Sequence, residues 1–384
     1  MDILGLLLIT ICIMSYIYHA LVIYSTFKFY EYLEAKKKKE YRRRNLPKVV
    51  CFKPLCGEDK NMFFNLMHFV EQDYPNFKVL LGIENNRDPA YKIAQEMKKY
   101  FSYQVILAVG EEGSGSNKKV RNMMNMERYI PSDTDILIIS DSDARVTKNY
   151  IKSMIEPMLD DPKVGATTAI YRTIEDVDLP EIIEAIHIET NFIPSVLVAS
   201  KLGPIKYAFG ASIAIRMDVL KRIGGFASIK DYLADDYMLA KKIIEAGYKI
   251  KLAPYIVSII PSTKTVKDAI IHVLRWYRTI KVCNPIGYFF SVICYPTFWA
   301  ILNSIYLHGS FTSAFMLLLA IFFRMASSIS VLLLLDTDIY RSFTNPLSDI
   351  ISVFIWIWSF LGNKVQWRGK TYKVFFDGRV IQLE

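Results

Sequence analysis

Two stretches of the chain, residues 3–27 and 282–323, contain no Asp, Glu, Lys or Arg, and they frame a middle in which charged and apolar positions are mixed. About 20 apolar residues cross a bilayer as a helix, so 3–27 predicts a membrane anchor. It lacks the basic start and small-residue cleavage site of a signal peptide. The second stretch breaks at His308-Gly309-Ser310 and predicts spans over 285–307 and 311–335, with Arg324 inside the second. A charge at that depth faces protein, water or a headgroup. The stretch 347–362 is short and rich in Trp and Phe, and it reads as re-entrant or interfacial.

In the middle, short apolar runs alternate with amphipathic ones. Lys48–Phe52, Lys78–Ile83, Tyr103–Ala108 and Ile136–Ser140 read as strands. Asn61–Glu71, Pro89–Tyr100 and Lys118–Tyr129 read as helices. Such alternation predicts an α/β domain on a mostly parallel sheet, with ligands at the carboxyl ends of the strands. The resulting organisation is an anchor at 1–30, a basic juxtamembrane segment at 31–47 and a catalytic domain at 48–262. An amphipathic interfacial helix follows at 263–283, then a membrane domain at 284–362 and a basic tail at 363–384. The apolar stretch Ile182–Leu202 is either a core helix or a membrane-surface segment lining a lipid's path, and the second is preferred.

Charge orients this plan. The net charge is +9, and Lys36, Lys37, Lys38, Lys39, Arg42, Arg43 and Arg44 directly follow the first span. Basic clusters stay on the cytoplasmic side, which puts the middle domain in the cytoplasm. The basic residues meet lipid headgroups rather than nucleic acid. Five cysteines without a CxxC or a zinc spacing fit reduced thiols on that side.

The strand Ile136–Ser140 runs into Asp141-Ser142-Asp143. Two carboxylates at a strand end suit a hard divalent cation, Mn²⁺ or Mg²⁺, which would neutralise a diphosphate leaving group. A second acidic pair, Asp235-Asp236, precedes a helical pattern. Asp235 reads as a helix cap and Asp236 as a general base for an acceptor hydroxyl. His272, Arg275 and Trp276 lie on a basic amphipathic helix, where Arg275 would meet the diphosphate and Trp276 the acceptor.

These motifs together resemble the ceramide glucosyltransferase family, inverting GT-A enzymes with bacterial hopanoid-linked relatives. The resemblance rests on Lys53-Pro54-Leu55-Cys56-Gly57, Asp73-Tyr74-Pro75, Asp88-Pro89-Ala90 and Asn117-x-Lys119-x-x-Asn122. It continues through Asp141-Ser142-x-x-Arg145, Asp235-Asp236-Tyr237 and His272-x-x-Arg275-Trp276. It implies transfer of a hexose, UDP-glucose being the first expectation for the donor, to the hydroxyl of a membrane lipid such as ceramide. The metal, Mn²⁺ or Mg²⁺, would sit at Asp141 and Asp143. Lys53, Pro54, Glu84, Asn85, Asp88, Lys119, Asp141, Ser142 and Arg275 would hold the donor. Gly210, Ala211, Ser212, Trp276 and His272 would meet the acceptor, with Asp236, aided by Asp235, as base.

The chain departs from the family pattern at two places. Asn85 replaces a family aspartate, and His272 stands where the family has Gln or Arg. The stretch Thr190–Ser195 looks more like bacterial members, which points to a bacterial inner membrane. Alternative readings are N-acetylglucosaminyl transfer to a hopanoid or diacylglycerol, a processive polysaccharide synthase, a polyprenyl-phosphate sugar transferase, or an inactive membrane-anchored binding protein.

Overall fold

A computed structural model of the chain describes residues 2–37, 46–367 and 369–383. The basic residues at 38, 39 and 42–44 used above for orientation lie outside them. The first half follows the predicted alternation. Strands β1 (Val49–Pro54), β2 (Phe77–Ile83), β3 (Val105–Val109) and β4 (Ile136–Ile139) pair in parallel, in the order β3-β2-β1-β4. Helices Met62–Val70, Ala90–Tyr100 and Lys118–Glu127 connect them.

Beyond β4 the sheet becomes mixed. It grows to eight strands through β5 (Ala144–Arg145), β6 (Val164–Thr173), β7 (Ile213–Arg216) and β8 (Lys249–Ile259). Here β7 runs antiparallel to both β4 and β6, while β6 and β8 are parallel. The segment 209–212 is a tight turn closed by a Phe209–Ser212 bridge ahead of β7.

Alternation along each strand fills two cores. Val49, Cys51, Val79, Leu81, Ile136 and Ile138 pack under helices Met62–Val70, Ala90–Tyr100 and Tyr150–Asp160. Val50, Phe52, Leu80, Leu137 and Ile139 face the other way, into a core that also takes Val22 and Phe29 of the N-terminal helix and Val331 and Leu335 of a C-terminal one. One face of the sheet is therefore continuous with the apolar helices.

Among the described residues, three helices are long and apolar enough to cross a membrane: Ile3–Lys37, Leu179–Leu202 and Phe311–Leu335. The stretch expected to span at 285–307 is built from two pieces, Pro285–Cys294 and Pro296–Tyr306, bent by 62°, the form of a broken span or a re-entrant loop. Pro296 begins the second piece and has no N–H to continue the first. Helix Asn345–Phe360 has 16 residues, short of the ~20 that a span requires. The expected tail folds as well. Its strands β9 (Lys364–Trp367), β10 (Lys370–Val374) and β11 (Val380–Gln382) form a separate antiparallel sheet.

Arg324 faces protein. Only 2% of its side chain is exposed, and its guanidinium donates to Asp349 Oδ1 (2.8 Å), the Thr190 carbonyl (2.8 Å) and Asn191 Oδ1 (2.6 Å). Thr190 and Asn191 lie in a π-helical turn, Ile188–Phe192, inside the Leu179–Leu202 segment. Such a turn disturbs the regular i→i−4 ladder, and Arg324 takes one of its carbonyls. This bond set ties three apolar helices together. Breaking a buried pair by removing one partner costs about 3–5 kcal/mol, so Arg324→Ala should lower the unfolding midpoint measured in detergent. Asp349→Asn, which keeps an acceptor for the guanidinium, should cost less.

Candidate active site

The site is built where helix Lys118–Glu127 meets the ends of β1, β2 and β4. Asn117 caps this helix, accepting from the Val120 N–H (3.2 Å), and donates to the Tyr232 carbonyl (2.8 Å). Asn122 donates to the Gly82 carbonyl at the end of β2 (2.9 Å). The helix approaches β2 so closely that a Cβ at Gly82 would lie 2.2 Å from the Met126 sulfur. The Asn117-x-Lys119-x-x-Asn122 motif is thus a cap and a clamp with Lys119 between them.

Lys119 is the centre of charge. Its ammonium lies 2.6 Å from Asp141 Oδ1 and 3.5 Å from Asp235 Oδ2, with 16% of the side chain exposed. The surrounding carboxylates Asp141, Asp235 and Asp236 outweigh its burial and hold it well above the usual lysine range. Asp236 accepts the Gly210 N–H at Oδ2 (2.9 Å) and the Tyr237 N–H at Oδ1 (2.7 Å). Burial, followed by repulsion from Asp235, pushes Asp236 up to about 6, against the attraction of Lys119. Asp235 and Asp236 open the helix Asp235–Glu245, whose cap is Ala234. The expected capping role of Asp235 is therefore corrected: it occupies the first helical position, where the helix dipole favours an anion.

Gly210 marks where these groups converge. A Cβ there would lie 3.2 Å from Lys119 Nζ, 3.3 Å from Asp141 Oδ2 and 3.5 Å from Asp236 Oδ2. Ala211 is buried beside it.

Lys53 lies beneath the Asp141 loop, fully buried. Its ammonium bonds the Asp141 carbonyl and sits 3.7 Å from the Phe69 ring centroid. Desolvation lowers it to about 7 against the attraction of Asp143 and Asp141. Lys53 therefore supports the loop from behind. Pro54 ends β1 opposite Gly82. Asp88 fastens two loops, accepting the Gly57 and Ala90 N–H groups (both 2.9 Å). Glu84 is held by Arg121 (2.9 and 2.6 Å), and Asn85 donates to Glu111 (2.8 Å).

Two serine hydroxyls turn away from the acidic cluster. Ser142 bonds buried Asp59, and Ser212 bonds Tyr150 in the core (2.5 Å). Both hydroxyls are thus engaged by protein partners in this geometry.

The last side is the amphipathic helix, Val266–Cys283. His272 Nδ1 is 2.5 Å from Glu184 Oε1, and its Nε2 is 2.5 Å from Arg275. Trp276 stacks on His187 (centroids 5.6 Å apart) and packs on His272 (4.3 Å). His272 thus orients Arg275 rather than standing alone. Sequence reasoning did not use Glu184, Arg121 or Trp367, whose ring lies 5.9 Å from the Arg275 guanidinium. Glu184 was visible only as a lone acid, buried (3% exposed), in the apolar Ile182–Leu202 stretch.

An α/β sheet that turns antiparallel after an acidic strand end, with a second carboxylate pair beside it, defines a glycosyltransferase of the GT-A type. The chain belongs to Glycosyl transferase family 21, which matches residues 7–380. It is similar to Ceramide glucosyltransferase 1 of Caenorhabditis elegans, 24% identical over 87% of this chain and 73% of that protein. Ceramide glucosyltransferase 3 of the same organism is 23% identical over 61% of this chain, which spans only half of that relative. Among solved structures, a mannosyltransferase of Pyrobaculum calidifontis in complex with GDP-Man and Mn²⁺ shares the fold, with a TM-score of 0.50 and 16% identity. The match covers 92% of this chain and 95% of that one.

The convergence at Gly210 has a direct test. A methyl there must displace Lys119 or Asp141 by a few tenths of an ångström. Misplacement of reacting groups by 1 Å costs about 10²-fold, so Gly210→Ala should lower the transfer rate by roughly ten-fold without changing the melting temperature.

Proposed function

We propose that the chain is an inverting glycosyltransferase that moves a hexose from a UDP-sugar to the hydroxyl of a membrane lipid, in one displacement on the cytoplasmic side of a bacterial inner membrane. The observation that carries this reading is the pairing of Asp236, raised to about 6, with Asp141 across Gly210. A general base works best with a pKa near the working pH. Asp236 accepts the proton of the lipid hydroxyl as that oxygen attacks the anomeric carbon, and the N–H groups of Gly210 and Tyr237 fix its orientation.

Asp141 and Asp143 are the residues that would hold a divalent cation. Their oxygen-only donor set fits Mn²⁺ or Mg²⁺, and 37% of the Asp141 side chain is open to a ligand. The nucleotide's phosphates would complete such a site, because no group of three or more His, Cys, Asp or Glu able to hold a metal occurs among the described residues. Bound there, the metal neutralises charge on the leaving diphosphate. Arg275, steadied by His272 and Glu184, would add a positive charge for the diphosphate.

The lipid acceptor is supported by architecture. The core beneath one face of the sheet is shared with helices long and apolar enough to cross a membrane. The Leu179–Leu202 segment brings His187 against Trp276 beside the site. The likeness to ceramide glucosyltransferases makes ceramide the first acceptor to try.

The experiment is transfer of labelled sugar from a panel of UDP-sugars to ceramide, diacylglycerol and hopanoid in micelles with Mn²⁺ or Mg²⁺. A labelled glycolipid from one pair is expected; labelled polymer, or no turnover with any pair, would reject the reading.

The role of Asp236 has its own test. Asp236→Asn should abolish transfer and leave UDP binding intact, and in the unaltered protein kcat/KM should fall below about pH 6 as the carboxylate protonates. A variant that loses UDP binding would move Asp236 to a donor-holding role.

A further inference from the structure

Helices Ile3–Lys37 and Phe311–Leu335 run side by side in the same direction. Tyr16 donates to the Met316 carbonyl (2.7 Å), His19 Nδ1 meets Ser327 Oγ (2.7 Å), and Val22 and Phe29 share a core with Val331 and Leu335. Both helices therefore leave the apolar layer at the same face. The uncharged part of the first stops at Phe27, so its last turns stand beyond the hydrocarbon.

A cavity of about 630 Å³ opens there, between the two helix ends and the β5–β8 edge of the sheet. That is within the range of small-molecule sites, about 300–1,000 Å³. Leu33, Leu334 and Leu335 line it on the side of the helices, and none of Asp141, Gly210, Asp236 or Arg275 reaches it. Lys36, Lys37, Arg145, Lys152 and Arg172 bring five cations to its wall, against the carboxylates of Glu34, Glu156 and Asp336.

These cations are better fixed than several of the acids that face them. Arg172 Nη1 donates to the carbonyls of Leu335 (2.7 Å) and Asp336 (3.1 Å), but the Asp336 carboxylate it also meets (3.1 Å) is 93% exposed. Lys152 pairs with Asp73 (2.6 Å), which is 76% exposed. Exposed ion pairs of this kind contribute about 0–1 kcal/mol, so an incoming anion can replace those carboxylates at little cost. Deeper in, Arg145 is anchored on Asn65 (3.1 Å) and Glu175 (2.5 Å), and Lys36 on Glu156 (2.9 Å) and Asp160 (3.0 Å).

We propose that this cavity is a second lipid site, which binds the phosphate headgroup of an anionic phospholipid. The phosphate takes charge-assisted hydrogen bonds from the basic wall, and the acyl chains leave past Leu33 and Leu334 into the bilayer. Basic pockets at the ends of spans suit such headgroups. The excess of cations sets the ligand apart from an uncharged acceptor such as ceramide. The proposal uses the membrane reading of the two helices and no step of the sugar-transfer reading.

The test is native mass spectrometry of the full-length protein in detergent, titrated separately with phosphatidylglycerol, phosphatidylcholine and glycerol phosphate. Phosphatidylglycerol should bind saturably, phosphatidylcholine at least ten-fold more weakly, and glycerol phosphate, which lacks the chains, more weakly still. One lost charge-assisted bond is worth about ten-fold in affinity. Lys152→Gln removes only a surface pair from the fold and should weaken phosphatidylglycerol about ten-fold; adding Arg172→Gln should weaken it further. Lys221→Gln, which removes an exposed charge outside the cavity, should change nothing. Equal affinity for the two lipids, or an equal loss for Lys221→Gln and Lys152→Gln, would overturn the site. Glycerol phosphate bound as tightly as phosphatidylglycerol would overturn the lipid assignment in favour of a soluble phosphate.

Discussion

The site depends on one ammonium, that of Lys119, placed among the carboxylates of Asp141, Asp235 and Asp236. Two like unit charges 4 Å apart near a protein surface repel by about 4 kcal/mol. The three carboxylates gathered about Lys119 would not stay ionised together without a cation between them. The sequence delivers that cation by a rigid route. Asn117 caps the helix, Asn122 ties it to the end of β2, and Gly82 lets it come close enough for Lys119 to reach Asp141. The arrangement also separates the three acids. Asp141 stays partly open and pairs with the ammonium, while Asp236 is shielded, bonded by two N–H groups and raised. The same cluster thus supplies one carboxylate suited to a metal and one suited to a proton.

The apolar helices and the site are joined through a single segment, 179–202. At its middle, the π turn gives the Thr190 carbonyl and the Asn191 side chain to Arg324, whose other partner is Asp349. Near its start, Glu184 holds His272, and His187 stacks on Trp276. A shift of the apolar helices would be carried to Arg275 through side chains that are bonded at every step. This explains why an acid as costly to bury as Glu184 is kept in an apolar stretch: a buried carboxylate is tolerated when its partners satisfy it. Here Thr263 and His272 both bond it.

The sequence was legible where a strand and the helix after it repeat. All four parallel strands of the first half lie within a few residues of their expected places, because β1 to β4 are short apolar runs between amphipathic helices. Beyond β4 that rhythm stops. Strand β5 has two residues and β7 four, too short for any periodic signal, and β6 and β8 carry exposed or polar positions beside buried ones. The acidic pairs at 141–143 and 235–236 could be found from their places, but their meeting at Gly210 could not. It depends on the tight turn at 209–212. The C-terminal sheet did leave a signal: Tyr372 and Val374 alternate with lysines, and Asp377-Gly378 is a hairpin pair. The density of Lys and Arg around it marks a basic tail more strongly than a sheet.

The departure at position 272 follows from the same accounting of donors and acceptors. His272 stands between an acceptor, the Glu184 carboxylate, and a donor, the Arg275 guanidinium. A neutral imidazole with its proton on Nδ1 satisfies both: Nδ1–H donates to Glu184 and Nε2 accepts from Arg275. A protonated ring would point a second N–H at the guanidinium and lose that bond. A glutamine, one of the two residues the family pattern has there, can fill the same place, since its amide has one donor end and one acceptor end. An arginine there would offer donors on both sides, bonding Glu184 but repelling Arg275. His272 therefore keeps the function of a glutamine. It passes the buried negative charge of Glu184 to Arg275 as orientation.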